Sequence, residues 1–542
     1  MIIQERTNFS MALTRDSIIS TNTASYLASY AGNKTPEDIA EEILNIINNK
    51  FELYNAAVAK GRKLKYMDEL LPVQIADIML ALHNVIAIKV ADTAEGYILA
   101  MYQDDGENEG IYVTDEKLLS NLARQYSYTI TDKELKEVKR CLKYKAPVVE
   151  RCDDRDLIAV NNGIFNYKTK MLMPFSPDLV FTSKSRVNYN PNAQNVVIHN
   201  DLDGTDWDVE SWMNTLSDDS EIVNTLWEIL GAILRPNVPW NKAAWLYSTE
   251  ESNGKGILCS LMRNLLGEGC SCSIKLSDMG KDFKLTPLLH SSAVIVDEND
   301  VGTYIDKVAN LKAIITGDVV QISRKFKGTI HFQFKGFMVQ CLNEMPRVND
   351  KSDLFFKRQL FIPLTKCFTD AERKYIKDDY LKRKEVLEYV MFKVLNMNYY
   401  ELSTPNVCKD ALVEYKEFNN PIRQFMSEIM SELQWDFVPS QFLYDLYKAW
   451  YNKNVSDNQT WSKQAFWKAF LAILTEKNSV YTDKWSYNKS QARPKNRMNK
   501  PEWLIDEYQL KDWYNPCYKG TDKAKKCCPA LKDRYTGYIF TK

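Results

Sequence analysis

Long apolar runs are missing from this sequence. Stretches such as 244–247 and 293–296 are far shorter than the roughly 20 residues that cross a bilayer, so no membrane partner is expected. The opening MIIQERTNFSMALTRDS lacks the basic start and apolar core of a signal peptide. Histidine is scarce, with four in the chain. The 11 cysteines are scattered and odd in number, which is not a disulfide framework. A reduced, cytoplasmic protein is expected. Neither charge sign dominates: 70 Lys and Arg face 71 Asp and Glu, for a net charge of −1. Any affinity for nucleic acid must therefore come from local clusters. Repeats and low-complexity tracts are absent as well.

What is present is globular. Apolar residues make up 45% and charged residues 26% of 542 residues, enough for roughly three or four domains. Residues 1–95 read as helical. TPEDIAEEILNIINNKF has an N-cap, a Pro at the first helical position and apolar residues at helical spacing, and LPVQIADIMLALHNVIAI reads similarly. From 96 to 205 short aromatic and β-branched runs broken by turns predict a mixed α/β module. Residues 206–240 predict helices with DDSE as an N-cap, and 241–405 alternate strand and helix patterns. Residues 415–542 become helical again, then aromatic and basic.

The chemistry begins at AAWLYSTEESNGKGIL (243–258), an apolar strand, a polar turn with one Lys, and a helix. Free N–H groups at such a helix start favour an anion. Asn253 and Gly254 let the backbone curl, and Lys255 can reach outer phosphates. Thr249 and Gly256 break the usual G-x-x-x-x-G-K-[ST] pattern at both ends, so an ordinary turn stays open as the alternative. In LLHSSAVIVDEND a strand ends in Asp297 and Glu298; these can hold Mg²⁺ and polarise water, or simply cap a helix. In FKGFMVQCLNEMP a further strand ends in Asn343, which can contact a γ-phosphate or form a turn. DLFFKRQLFIPL carries Arg358 beside a fourth strand, either a finger for a neighbour's nucleotide or a surface cation. The order and spacing of these strand ends favour one shared sheet edge over chance.

Between them, VVQIS and TIHFQF flank RKFKG, a basic turn bearing Arg324, Lys325, Phe326 and Lys327. Cations can hold a phosphate chain while the ring stacks on base or sugar. In the C-terminal part, WSKQAFWKAFLAILTEK followed by SVYTDKW suggests a recognition helix running into a wing, with the aromatic stripe serving as core. KSQARPKNRMNK is a solvated basic loop or a contact to duplex DNA. Cys517, Cys527 and Cys528 are poorly spaced for zinc.

This arrangement resembles superfamily 3 helicases, and within them the phage and plasmid primase-helicases related to the poxvirus primase-helicase. NGKG, IVDE, the basic hairpin, VQCLNEMP and FFKRQLFIPL stand in that family's motif order. VNNGIFNYKTKMLMPFSPDLVFTS resembles the signature of its preceding module. Lys325 and Phe326 match the DNA hairpin of papillomavirus replicative helicases, with Phe in place of His. The resemblance implies a multidomain α/β chain: a helical N-terminal region, a mixed α/β module, a helical collar at 206–240, an AAA+-type ATPase core and a winged-helix-like C-terminal domain. It implies ATP and Mg²⁺ as cofactors. Ser252, Asn253, Gly254, Lys255, Gly256 and Ile257 would bind nucleotide, with Lys312 a weaker candidate acting in trans. Asp297 would hold the metal, Glu298 would activate water, Asn343 would sense the γ-phosphate and Arg358 would act in trans. The implied function is a hexameric 3′→5′ helicase on single-stranded DNA, initiating replication of a phage, plasmid or mobile element. Many relatives carry a fused primase domain. The roughly 95 helical residues ahead of the middle module are short for one and show no evident acidic pair on a strand, so a separate primase is expected, with duplex origin DNA as a further partner. An origin-binding scaffold with a slow ATP site is the alternative, and a ring ATPase that remodels protein is a third.

Overall fold

The computed structural model describes residues 14–90, 96–250, 252–281, 283–305, 307–324, 327–348, 352–368, 373–454, 460–475, 481, 484–492 and 494–540. The chain divides into two compact units, one of residues 1–346 and 357–408, the other of 347–356 and 409–542. It is a multidomain α/β protein.

The first unit starts with helices α1 (Arg15–Ser29), α2 (Pro36–Ala57) and α3 (Pro72–Leu82). α2 begins as its sequence predicts: Thr35 caps it, Pro36 sits in the first turn, and Ile39, Ile43, Ile47 and Phe51 form its buried face. The expected helical continuation through HNVIAI is a correction. The helix ends at Leu82, and β1 (Val85–Lys89) pairs antiparallel with β2 (Tyr97–Tyr102). A short buried strand and a buried helix end carry the same unbroken apolar signal, so periodicity could not separate them. β3 (Tyr112–Val113) and β4 (Val148–Val149) complete a sheet in the order β3-β2-β1-β4. α4 (Glu116–Tyr126) and α5 (Asp132–Lys145) lie between them in the chain. One core joins Ile18 to Ala146, so the expected boundary at residue 95 falls within a packed body.

β5 (Leu157–Val160), β6 (Gly163–Asn166) and β7 (Met171–Met173) form a meander. Its NNG turn explains much of the NGIF signature. Asn162 takes the Tyr189 N–H at 2.9 Å and donates to the Tyr189 carbonyl at 3.0 Å. A Cβ on Gly163 would fall 2.4 Å from the Met173 carbonyl, so only glycine fits. The small ribbon β8 (Ile198–Asn200) and β9 (Thr205–Trp207) leads to α6 (Val209–Thr215) and α7 (Ser220–Leu234). Asp219 caps α7, as DDSE predicts, but the helix is buried from Ile222 to Leu234 along most of its length. Within the segment expected as a collar, 206–240, α7 is a core helix with Glu221 and Asn224 left exposed near its start.

The site is organised by a five-stranded sheet. Its strands are β10 (Ala243–Tyr247), β11 (Ser271–Cys272), β12 (Ala293–Val296), β15 (Phe337–Leu342) and β16 (Gln359–Pro363). All pairings are parallel, in the order β11-β12-β15-β10-β16. α8 (Lys255–Leu266) follows β10. Between β12 and β15 come α9 (Val308–Thr316) and a hairpin of β13 (Val319–Arg324) with β14 (Lys327–Gln333). α10 (Lys384–Asn396) packs with α7 and α8 on the sheet. The strands are buried almost throughout, as parallel strands covered by helices must be.

The second unit contains α11 (Pro421–Ile429), β17 (Phe437–Pro439), α12 (Ser440–Asn454), α13 (Lys463–Leu474), β18 (Trp485–Ala492) and β19 (Arg534–Phe540). Its antiparallel sheet runs β17-β19-β18. Phe425, Phe442, Tyr447, Trp450, Phe466 and Phe470 are buried together, so the aromatic stripe is core. Among the described residues no helix is long and apolar enough to cross a membrane.

Candidate nucleotide site and basic hairpin

The turn after β10 is shaped by positive φ at Ser252 (55°) and Gly254 (82°). Gly254 has a second constraint, because a Cβ there would lie 2.7 Å from Leu216 Cδ2. The Asn253 amide donates to the Glu250 carbonyl, and its oxygen accepts the Lys255 N–H at 3.3 Å. Asn253 is thus an internal brace. The rim is tied down elsewhere: the Ser248 N–H donates to Leu342 at 3.1 Å, and the Phe368 N–H to the Ser252 carbonyl at 2.9 Å. Ile257 packs its side chain on the core.

Lys255 is only 6% exposed, and its Nζ donates to one group, the Ser248 carbonyl, at 3.4 Å. Burial lowers its pKa. An ammonium this buried without a carboxylate calls for an anionic ligand. Gly256 is different from Gly254: a Cβ there meets nothing within 4 Å. The hydroxyl missing from the loop is therefore not excluded by packing.

The sheet order sets β15 between β10 and β12, so Asn343 stands between the loop and the acidic pair at the same strand ends. Asn343 is partly buried and Glu298 exposed, and neither side chain has a partner among the described residues. Asp297 is engaged. Arg263, about two helical turns beyond Lys255, grips both its oxygens, one at 2.7 Å, and also donates to the Ile295 carbonyl at 3.1 Å. Burial opposes ionisation of Asp297, but the hydrogen bonds and charge of Arg263 outweigh it and hold the carboxyl below its ordinary range. The next residue, Asn299, is fully inside. It donates to Gln340 at 2.9 Å and to the Cys341 carbonyl at 3.0 Å, and accepts the Leu276 N–H at 2.9 Å. Arg263 and Asn299 escaped the sequence reading. The only available signal for Arg263 was its place on the helix face of Lys255.

Arg358 is not brought to this edge. It immediately precedes β16, and its carbonyl accepts the Ala243 N–H at 2.9 Å, at the start of β10. A five-residue strand separates it from its own loop, roughly 15 Å. Lys312 is on α9, the helix leading into the hairpin. The hairpin strands pair in register from Val319↔Gln333 to Ile322↔Ile330, with Arg324↔Lys327 at the neck. Arg324 donates to the Gly328 carbonyl at 3.2 Å. Lys325, Phe326 and the Lys327 side chain lie outside the described residues.

The oxygen donors at this edge, Asp297 and Glu298, are of the kind that suits Mg²⁺, and Lys255 suits a phosphate. Nucleotide with Mg²⁺ therefore fits the groups present, once Arg263 shares or yields Asp297.

Comparison with known proteins gives three family matches. Residues 36–218 match "D5 N terminal like" and 417–515 match "Poxvirus D5 protein-like", while 246–358 match a family of unknown function, DUF5906. No curated protein matches. Two solved apo structures of the NrS-1 C-terminal region align with 12% and 13% identity and TM-scores of 0.42 and 0.40. They cover 88% and 87% of this chain, and 100% of their own. D5-type sequence on either side of the nucleotide loop supports a D5-like protein of the phage and poxvirus primase-helicase type, a replication-associated class.

Proposed function

We propose that the protein is an ATP-dependent replicative DNA helicase, a hexameric ring moving 3′→5′ on single-stranded DNA, in the replication of a phage, plasmid or mobile element. The observation that carries this reading is the edge of the parallel sheet. Three adjacent strands present the Lys255 loop, Asn343 and the Asp297–Glu298 pair side by side, with Glu298 and Asn343 unpartnered. Residues 241–405 would then be an AAA+-type core of the superfamily 3 kind.

In this mechanism Lys255 and the opening N–H groups of α8 bind the phosphates. Glu298 orients and deprotonates the attacking water, and Asn343 positions the γ-phosphate without adding negative charge. Asp297 would hold Mg²⁺, which would supply charge neutralisation on the phosphates. Arg358, about a strand length from its own loop, would serve a neighbour's nucleotide; this favours ATP sites between subunits. Arg324, Lys325, Phe326 and Lys327 would contact the strand in the channel. In the second unit α11, β17, α12, α13 and β18 follow in that order, and β19 joins the β17-β19-β18 sheet after an insertion that carries the short helices Leu504–Glu507 and Lys523–Lys526. This supports a winged-helix-like reading, with duplex origin binding through α13.

A second reading has its own observation. The Arg263–Asp297 ion pair occupies the metal-holding carboxylate, as an origin-binding scaffold with a slow, assembly-only ATP site would have it. ATP hydrolysis with and without single-stranded DNA, in wild type and Glu298→Gln, separates the readings. DNA-stimulated turnover that disappears in the variant supports the helicase. Tight DNA binding without turnover overturns it in favour of the scaffold, and hydrolysis indifferent to DNA favours protein remodelling.

A further inference from the structure

The first unit contains a hollow of about 570 Å³ that is separate from the Lys255 loop. Asn237, Ser292 and Lys335 line it, and these residues precede β10, β12 and β15. The hollow thus sits at the N-terminal edge of the sheet, opposite the loop. Its other wall comes from the region after β1 and β4, and its floor from the base of the hairpin at Val319 and Phe332.

Arg151 is the feature that gives this hollow a chemistry. Its guanidinium lies 5.3 Å from the centre of the buried Phe332 ring and makes no hydrogen bond or ion pair among the described residues. Burial lowers its pKa. Lys335 is exposed at the rim, also without a partner. The lining includes two acids, Glu150 and Asp153; Glu150 stands 3.9 Å from Lys89. A cation set over an aromatic ring and partly withdrawn from water, with no carboxylate beside it, is stabilised by an anion entering from outside. The remaining lining combines apolar groups such as Leu157, Val180 and Ile233 with the hydroxyls of Thr182 and Ser183. Such a mixture suits a base and sugar, and the volume is that of a small-molecule site.

We propose that this hollow binds a nucleotide, with its phosphate on Arg151, independently of the Lys255 loop. The same chemistry is offered by a free nucleoside phosphate and by one nucleotide of a single strand. Either occupant would touch the base of the hairpin at Val319 and Phe332.

The test uses the full chain carrying Lys255→Ala, which silences the loop, with radiolabelled ATP and fluorescein-labelled oligo(dT) as probes. At least one probe is expected to bind. Adding Arg151→Gln weakens it tenfold or more, Arg151→Lys largely restores it, and the exposed Lys335→Glu weakens it without touching the core. An effect on ATP assigns a free nucleotide; an effect on oligo(dT) alone assigns a strand. The proposal is overturned if the Lys255→Ala protein binds neither probe, or if Arg151→Gln leaves binding unchanged, whatever Lys335→Glu does. Neither result bears on hydrolysis at the loop, which the Glu298→Gln assay reads separately.

Discussion

The aromatic interior of the second unit and the loop edge of the parallel sheet treat their polar groups in opposite ways. In the second unit the large rings are buried and their polar atoms mostly satisfied. Trp450 donates to Glu428 at 2.6 Å, Trp435 to the Lys500 carbonyl at 2.8 Å, and Trp513 to Asp445 at 3.2 Å. At the sheet edge Lys255 is buried on a single 3.4 Å contact, while Glu298 and Asn343 have no partner among the described residues. A buried polar group left unsatisfied costs stability. An edge that keeps one such group, the buried Lys255, beside an exposed Glu298 and a half-buried Asn343 is arranged for a ligand, whereas the largely satisfied interior is arranged for folding.

The largest expected effect falls on the folding side of that contrast. Trp450 is 1% exposed and in ring contact with Phe425 and Tyr447. Trp450→Ala is expected to cost about 3–5 kcal/mol and to bring limited proteolysis into residues 409–542, read together with denaturant unfolding. A loss under about 1 kcal/mol would mean the aromatic interior is not what holds the unit. On the ligand side, Lys255→Ala should lower ATP hydrolysis by about 100-fold or more and leave the melting temperature unchanged or higher, since it removes a desolvated cation. A variant that melts much lower and still hydrolyses ATP would reverse the assignment.

That contrast was only partly legible in the sequence. Strands that end in DE, N and a Lys-bearing turn mark the edge, because a parallel strand's C-terminal residue has to emerge there. The partners of those residues were not legible. Asn299 reaches Gln340 on the neighbouring strand, and Arg263 reaches Asp297 from a helix; neither pairing leaves a periodic trace. VIAI was read as helix because length alone distinguishes it. The NNG turn carries the family signature, and its physical role, a staple to Tyr189, emerges only in the fold.

Glu502 breaks the pattern inside the second unit and makes a pH test. It is fully buried, accepts the Gln434 N–H at 2.8 Å with one oxygen, and leaves the other unsatisfied. Burial outweighs its backbone hydrogen bonds and raises its pKa to about 7. A raised carboxyl pKa gives a contribution that is complete below the ordinary value near 4.5 and is lost as pH rises through about 7. The second unit should therefore melt lower at pH 8 than at pH 5. In Glu502→Gln that part of the slope should vanish, and a slope identical to wild type would show that the carboxyl titrates normally.

The finest comparison is between two glycines one residue apart. Gly254 is held by a φ of 82° and by Leu216, so Gly254→Ala should cost about 1–2 kcal/mol and impair nucleotide binding. Gly256 starts a helix with open space where a Cβ would go, so Gly256→Ser should fold as wild type does. If hydrolysis at this edge follows the Lys255, Glu298 and Asn343 scheme, the added hydroxyl supplies the oxygen ligand that the loop lacks. The Mg²⁺ concentration giving half-maximal ATPase rate should then fall a few-fold, with little change in melting temperature. If the rate and its Mg²⁺ dependence stay where they are while Gly254→Ala still weakens binding, the missing hydroxyl is not what limits the site. Release of Asp297 from Arg263 would then be the step to examine, with Arg263→Gln as the variant expected to change the Mg²⁺ requirement instead.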